Sequence, residues 1–197
     1  YEPAMRHRID TYIRAEDSEK ISTFDDLSLI QLIVERSPDE VSAKVKGVMK
    51  SETAVAEAIE NNVRKLIINE SPVDPAYYEQ MSKLLDALIK QRREGVDDYK
   101  AYLEKIAALT KQVMQPGGAD GAPDTIKTPA QRALYNNLGN DAGKALAVDA
   151  AIRNNLQDGW RGNPAKTKKV RNAIRAVLGD EALTSAILDL ATHQSGY

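Results

Sequence analysis

Cysteine is absent from this 197-residue sequence, and histidine occurs only twice. The absence of cysteine excludes disulfide frameworks, zinc sites of the Cys/His type and thiol nucleophiles. It is also typical of a cytoplasmic protein. The two histidines, His7 and His193, are far apart, and neither stands in a recognisable motif with a serine and an orienting acid. His193 precedes a polar tail and is predicted to be exposed to solvent.

Long apolar runs and a phosphate-binding loop are missing as well. No run of about 18 apolar residues occurs and no signal-like segment opens the chain, so no contact with a membrane is predicted. The glycines at 117, 118 and 121 precede no Gly-Lys-Ser/Thr sequence, so no nucleotide-binding loop can be assigned. The chain starts at Tyr1, which predicts a piece of a longer protein.

The letters of a magnesium-dependent nuclease motif occur at two places, Pro38-Asp39 and Asp98-Tyr99-Lys100. Such a motif needs its residues on adjacent strands, whereas both stretches are predicted to start helices. A proline fits the first helical turn, and an aspartate there interacts favourably with the helix dipole. The sequence therefore predicts no catalytic residue, no metal site and no cofactor in this chain.

What the sequence does contain is helical periodicity. Between residues 51 and 114, apolar residues recur at the spacing of three successive amphipathic helices. Pro72 ends the first helix, and Asp74 is predicted to cap the second, with Pro75 at its first position. Gly95 is predicted to be left-handed, so that the third helix folds back antiparallel on the second. These joints predict a bundle built around a helical hairpin.

No alternating strand pattern appears, so the predicted fold is all-α: a multi-helix bundle with a smaller C-terminal helical subdomain. Further helices are predicted over residues 4–14, over FDDLSLIQLIVER and over about 37–46, and more follow residue 128. The Gly/Pro-rich stretch QPGGADGAPDTIK is predicted to be a linker. The predicted organisation is connecting helices at 1–50, a central bundle at 51–114, a linker at 115–127 and a basic subdomain at 128–197. Whether that subdomain packs on the hairpin or moves on the linker is left open.

Positive charge is concentrated after the predicted linker. Residues 125–178 contain 10 Lys+Arg against 3 Asp+Glu, and a helix predicted over 165–178 carries several of these cations. A basic helix next to an aromatic residue predicts contact with a phosphate backbone, without base recognition. The residues predicted to make that contact are Trp160, Arg161, Lys166, Lys168, Lys169, Arg171 and Arg175. Two alternatives remain open: solvated helix charges with Trp160 as a core residue, or docking to an acidic protein surface.

Four tyrosines are predicted to form an aromatic cluster around the hairpin, namely Tyr77, Tyr78, Tyr99 and Tyr102. One interpretation is core packing with the hydroxyls at the surface. The other is a tyrosine-rich protein interface.

The run NNVRKLIINESPVDPAYYEQMSKLLDALIKQRREGVDDYKAYLEKIAALTKQV resembles the C-terminal region of the restriction (motor) subunit of type I restriction-modification enzymes. So do the flanking segments IDTYIRAEDSEKISTFDDLSLIQLIVER and TPAQRALYNNLGNDAGKALAVDAAIRNNLQDGWRGNPAKTKKVRNAIRAVL, and the resemblance covers nearly the whole chain. It implies a cytoplasmic parent endonuclease that translocates double-stranded DNA, with ATP and Mg²⁺ held by other domains. It also implies that this region is non-catalytic and docks the motor on the methyltransferase and specificity subunits. An autonomous nucleic-acid-binding module and a small enzyme with an unrecognised site are the alternatives.

Overall fold

The computed structural model describes residues 26–36, 40–41, 51–95, 98–116 and 121–197. Within these ranges the fold is all-helical, as predicted, and contains no strand. The helix predicted over residues 4–14 lies outside the described residues, as does most of the one predicted over 37–46. The helices are α1 (Asp26–Glu35), α2 (Glu52–Glu70), α3 (Pro75–Arg93), α4 (Tyr99–Met114), α5 (Pro129–Asn137), α6 (Ala142–Arg153), α7 (Pro164–Leu178) and α8 (Glu181–His193).

Helices α1 to α4 pack around one apolar core, which we call the first unit. Helix α1 contacts both α2 and α4, and Ile30 and Ile33 are buried. Part of the segment predicted as connecting helices at 1–50 therefore packs on the central bundle through these two isoleucines. The main buried side chains of the first unit are Ile33, Val41, Val55, Ile59, Val63, Ile67, Tyr78, Met81, Leu85, Tyr102, Leu103, Ile106 and Val113.

The predicted helix boundaries of the hairpin are confirmed by their capping geometry. The Asp74 carboxylate accepts a hydrogen bond from the Tyr77 amide at 3.3 Å, and Pro75 occupies the first position of α3. Gly95 has a φ of 69°, in the left-handed region that favours glycine. Asp98 is the N-cap of α4 and accepts from the Ala101 amide at 2.7 Å. Asp98, which belongs to the stretch that matches a nuclease motif, therefore has a structural role as a helix cap.

Helices α5 to α8 form a second unit with its own core. Its main buried side chains are Ile126, Leu134, Val148, Ile152, Trp160, Val170, Ile174, Ile187 and Leu190. Because Ile126 is buried there and Ala122 packs against it, the second unit starts before residue 128. The predicted linker at 115–127 is thus shorter than its Gly/Pro content indicates. Thr128 and Asn163 cap α5 and α7 as predicted, and Gly179 ends α7 with a φ of 69°.

A buried carboxylate, Asp149, ties the C-terminus into the second unit. It accepts hydrogen bonds from Gln131 Nε2 at 2.9 Å, from Arg153 Nε at 3.0 Å and from the Tyr197 hydroxyl at 2.7 Å. Burial acts to raise the pKa of Asp149, but the hydrogen bonds from Gln131, Tyr197 and Arg153 outweigh it and hold the pKa below its ordinary value. The charged form is therefore stabilised by folding.

Replacing Asp149 with asparagine is expected to reduce the free energy of unfolding by about 1.5–3 kcal/mol at pH 7, the range for hydrogen bonds to charged groups. Because the folded-state pKa is lowered, the contribution is fully present above the unfolded pKa of about 3.9 and disappears as the pH falls through the folded value. Urea unfolding of both proteins at pH 7, 5 and 3.5 measures this. Asp124→Asn, at an exposed position, is the control. A difference that stays constant with pH contradicts the prediction.

Candidate functional site

The two units meet at a buried polar cluster, which answers the question of whether the second unit packs on the hairpin. Asp74 is only 4% exposed. Asn136 Nδ2 and Asn137 Nδ2 each donate to its carboxylate at 2.7 Å, and the Ala76 amide donates to Asn137 Oδ1 at 3.2 Å. A separate bond joins Gln194 Nε2 to the Val73 carbonyl at 2.6 Å. The α2–α3 turn of the first unit is therefore held by side chains of the second.

We call the contact of Asp74 with Asn136, Asn137 and the start of α3 the Asp74 cluster. The pKa of its carboxyl depends on burial and on the groups that surround it. Burial raises the pKa of the Asp74 carboxyl above its ordinary value, although the Asn136 side chain, the Tyr77 amide and the Asn137 side chain oppose the increase. Arg132 adds a smaller opposing effect through its positive charge. A buried carboxylate of this kind is stable only while its hydrogen-bond donors stay in place.

The six cations predicted to contact a phosphate backbone lie on α7 or in the loop before it. Four of them form hydrogen bonds or ion pairs within the second unit. Arg161 Nε donates to the Thr192 carbonyl at 2.8 Å, and the same guanidinium also donates to the Gln194 carbonyl. Lys166 Nζ donates to the Asp158 carbonyl at 2.5 Å. These two side chains therefore hold loops and the end of α8.

Arg171 and Arg175 share one acidic partner on α8. Arg171 donates to Glu181 and to the Ser185 hydroxyl, and Arg175 Nε lies 3.4 Å from Glu181. Both arginines and Glu181 are well exposed, and surface ion pairs of this kind contribute only about 0–1 kcal/mol. Lys168 and Lys169 are exposed, and no described residue pairs with either of them.

Trp160 is a core residue. Its indole is 3% exposed and packs in the core of the second unit, and the Arg161 guanidinium lies 5.2 Å from the ring centroid. The ring is therefore covered, which favours the alternative that Trp160 is a core residue over its predicted contact with a phosphate backbone. Within the described part of the chain, its Nε1 is also without a hydrogen-bond partner.

The four tyrosines do not form one cluster but two pairs at opposite ends of the hairpin. The rings of Tyr77 and Tyr78 meet edge to face at 5.3 Å, and their hydroxyls donate to the Gln112 and Val113 carbonyls. The rings of Tyr99 and Tyr102 stack at 6.4 Å. The separation follows from the antiparallel hairpin, since the first pair starts α3 and the second starts α4.

These rings are placed for packing more than for contact with a partner. Tyr77, Tyr78 and Tyr102 are buried, and only Tyr99 is partly exposed. Burial raises the pKa of Tyr99 to about 12. Three of the four tyrosines predicted to form a protein interface therefore face the core.

Sequence reasoning missed the buried ion pair beside Tyr102. Arg92 donates to both carboxylate oxygens of Glu60, with Nε at 2.7 Å and a terminal nitrogen at 3.1 Å. The Tyr102 hydroxyl donates to Glu60 at 3.1 Å. Glu60 is 5% exposed, and its hydrogen bond raises the pKa of Arg92. The only available signal was that Glu60 follows Ile59 at the edge of the apolar stripe of α2.

No described residues form a group of three or more histidine and acidic side chains that could hold a metal ion. Among the helices of the described ranges, none is long and apolar enough to cross a membrane. Comparison of the chain with protein-family models, curated proteins and solved structures found no match.

Proposed function

We propose that this chain is a non-catalytic helical domain that docks the motor subunit of a type I restriction enzyme on its methyltransferase and specificity subunits. The observation that carries the proposal is the use of the buried acids. Glu60, Asp74 and Asp149 are the buried carboxylates of the described residues, and each accepts hydrogen bonds that join helices or units. Satisfied buried networks of this kind make a fold rigid, as a docking domain requires.

The identity of the partners comes from the resemblance of the sequence to the C-terminal region of the motor subunit. The parent would hold ATP and Mg²⁺ in other domains and cleave DNA there. The role of this domain would be to hold the motor on the cytoplasmic methyltransferase complex. Specific protein interfaces typically bury about 1,600 Å² in total, which two packed helical units can supply from one face.

A second candidate is a module that binds the DNA backbone, and the exposed cations of α7 favour it. Lys168, Lys169 and Arg175 lie on the outer side of the helix, and the weak surface pair with Glu181 leaves Arg175 free to exchange partners. Each phosphate contacted is expected to add about −0.9 to the slope of log affinity against log salt concentration.

Isothermal titration of the chain with the methyltransferase–specificity complex from the same organism tests the proposal, together with duplex DNA anisotropy at 50 and 200 mM salt. We expect a complex with a dissociation constant of about 1 μM or below, typical of a specific interface. Docking should persist in Lys168→Glu/Lys169→Glu, with Lys111→Glu as the control at another exposed lysine. If the chain does not bind the methyltransferase complex but binds DNA, the docking proposal is wrong. If charge reversal of the two lysines then removes DNA binding, the second candidate is supported.

A further inference from the structure

An apolar groove lies where the two units meet on the side of the α2–α3 turn. It has a volume of about 560 Å³, and its floor contains Ile67, Ile68, Pro72, Pro75 and Tyr78. The end of α8 closes one side with Asp189 and His193. The groove is thus built from both units.

Ile68 is the most exposed large apolar side chain of the described residues, at 63%. It is contiguous in the groove with the two prolines of the turn, Pro72 and Pro75, both of which are exposed. A contiguous apolar surface, unlike a single exposed residue, is typical of an interaction site. Nothing in the packing of the first unit requires an isoleucine at this exposed position.

The two charged residues that line this apolar surface are both acidic. Glu79 and Asp189 line the groove, and neither lysine nor arginine is among the residues that line it. Glu79 is paired with Lys83 at 2.6 Å, whereas Asp189 is exposed and has no ionic partner in the described part of the chain. The neighbouring Glu70 acts on Tyr78 with its negative charge. Charge complementarity therefore favours a basic partner.

We propose that this groove is the docking surface of the chain and that it binds an amphipathic helix of the methyltransferase subunit. The helix would carry apolar residues at i, i+3 or i+4 and i+7, with Lys or Arg beside them. Helices bind in apolar grooves with this spacing, and cations beside them would meet Asp189 and Glu79. The inference rests on the proposed function and names the surface and the chemistry of its partner.

The groove also depends on the arrangement of the units. Gln194, which immediately follows His193, donates to the Val73 carbonyl in the turn that forms the groove floor. Asp74 lies in the same turn and holds Asn136 and Asn137 of the second unit. Docking should therefore require the two units to be packed together.

Replacing Ile68 with lysine is expected to weaken binding of the methyltransferase–specificity complex at least about tenfold, which corresponds to about 1.4 kcal/mol. The variant removes the exposed apolar contact and adds a charge that repels a basic helix. A lysine near the C-terminus of α2 is compatible with the helix, and circular dichroism verifies the fold. The matched control is Leu84→Lys, at an exposed leucine of α3 that does not line the groove, with affinity expected within about twofold of the original.

Failure of this inference differs from failure of the proposed function. If the unchanged chain binds and Ile68→Lys binds equally well, the groove is not the docking surface and the proposed function stands. If the unchanged chain does not bind at all, docking itself is overturned, and the groove loses its partner with it.

Because the chain has no cysteine, Ile68→Cys provides one attachment point for a benzophenone maleimide. After irradiation in the assembled complex, we expect cross-links to a basic amphipathic helix of the methyltransferase subunit. Leu84→Cys, labelled in the same way, should give none. Cross-links from position 68 only to the specificity subunit, or to an acidic segment, overturn the assignment of the partner.

Discussion

Replacing Arg92 with methionine is expected to lower the free energy of unfolding by about 3–5 kcal/mol, the range for removing one partner of a buried ion pair. Methionine fills the space of the aliphatic stem but leaves the Glu60 carboxylate, 5% exposed, with the Tyr102 hydroxyl as its remaining donor. A domain of this size is typically stable by about 5–15 kcal/mol, so the loss is a large share of the total. Urea unfolding followed by circular dichroism measures it.

Two variants control the Arg92 experiment. Arg64 forms an exposed pair with Asp86 at 2.6 Å, and Arg64→Met is expected to cost less than about 1 kcal/mol. The double variant Glu60→Met/Arg92→Met removes both charges and should recover most of the lost stability, since apolar replacements of a buried pair are often neutral. If Arg92→Met costs no more than Arg64→Met, the buried pair does not stabilise the first unit as argued.

Replacing Asp74 with alanine is expected to lower stability by about 3 kcal/mol and to separate the unfolding of the two units. The cap of α3 accounts for about 1 kcal/mol. The side-chain amides of Asn136 and Asn137 lose their shared acceptor at a buried position, which costs about 1–3 kcal/mol. With this contact gone, fewer interactions couple the unit cores.

The single tryptophan, Trp160, makes the separation measurable because its fluorescence reports on the second unit alone. Circular dichroism reports on the helices of both units, so coincident transitions in the unchanged chain should become non-coincident in Asp74→Ala. Asp98→Ala is the control, since Asp98 caps α4 and none of its hydrogen bonds cross to the second unit. Coincident transitions, with a loss equal to that of the control, would falsify the coupling role of Asp74.

Local features of the sequence determined the helices and their ends. Apolar residues at helical spacing predicted an all-α fold, because a helix stripe depends only on residues three or four positions apart. Asp74-Pro75, Thr128-Pro129 and Asn163-Pro164 start helices where their capping chemistry predicted, and Gly95 and Gly179 have left-handed backbones as expected. Capping joins a side chain to an amide two or three residues away, so neighbouring residues contain the necessary information.

Only the tertiary structure decided which polar side chains pair within the fold and which remain exposed. The predicted basic helix is present, but Arg171 and Arg175 meet Glu181 of the next helix. Trp160 lies in the core of the second unit, although the residues next to it in the sequence are Gly159 and Arg161. Sequence spacing within one helix cannot show which residue of another helix lies opposite.

The groove and the Asp74 cluster depend most clearly on tertiary packing, because their residues are far apart in the sequence. Gln194 and Val73 are 121 positions apart, and Asn137 is 63 positions from Asp74. Such pairs form only where the two units pack against each other, and no period or local motif encodes them. The sequence by itself therefore determined the helices, the all-α class and the concentration of positive charge. The packing of two units decided where the buried carboxylates find donors and where an apolar surface remains open.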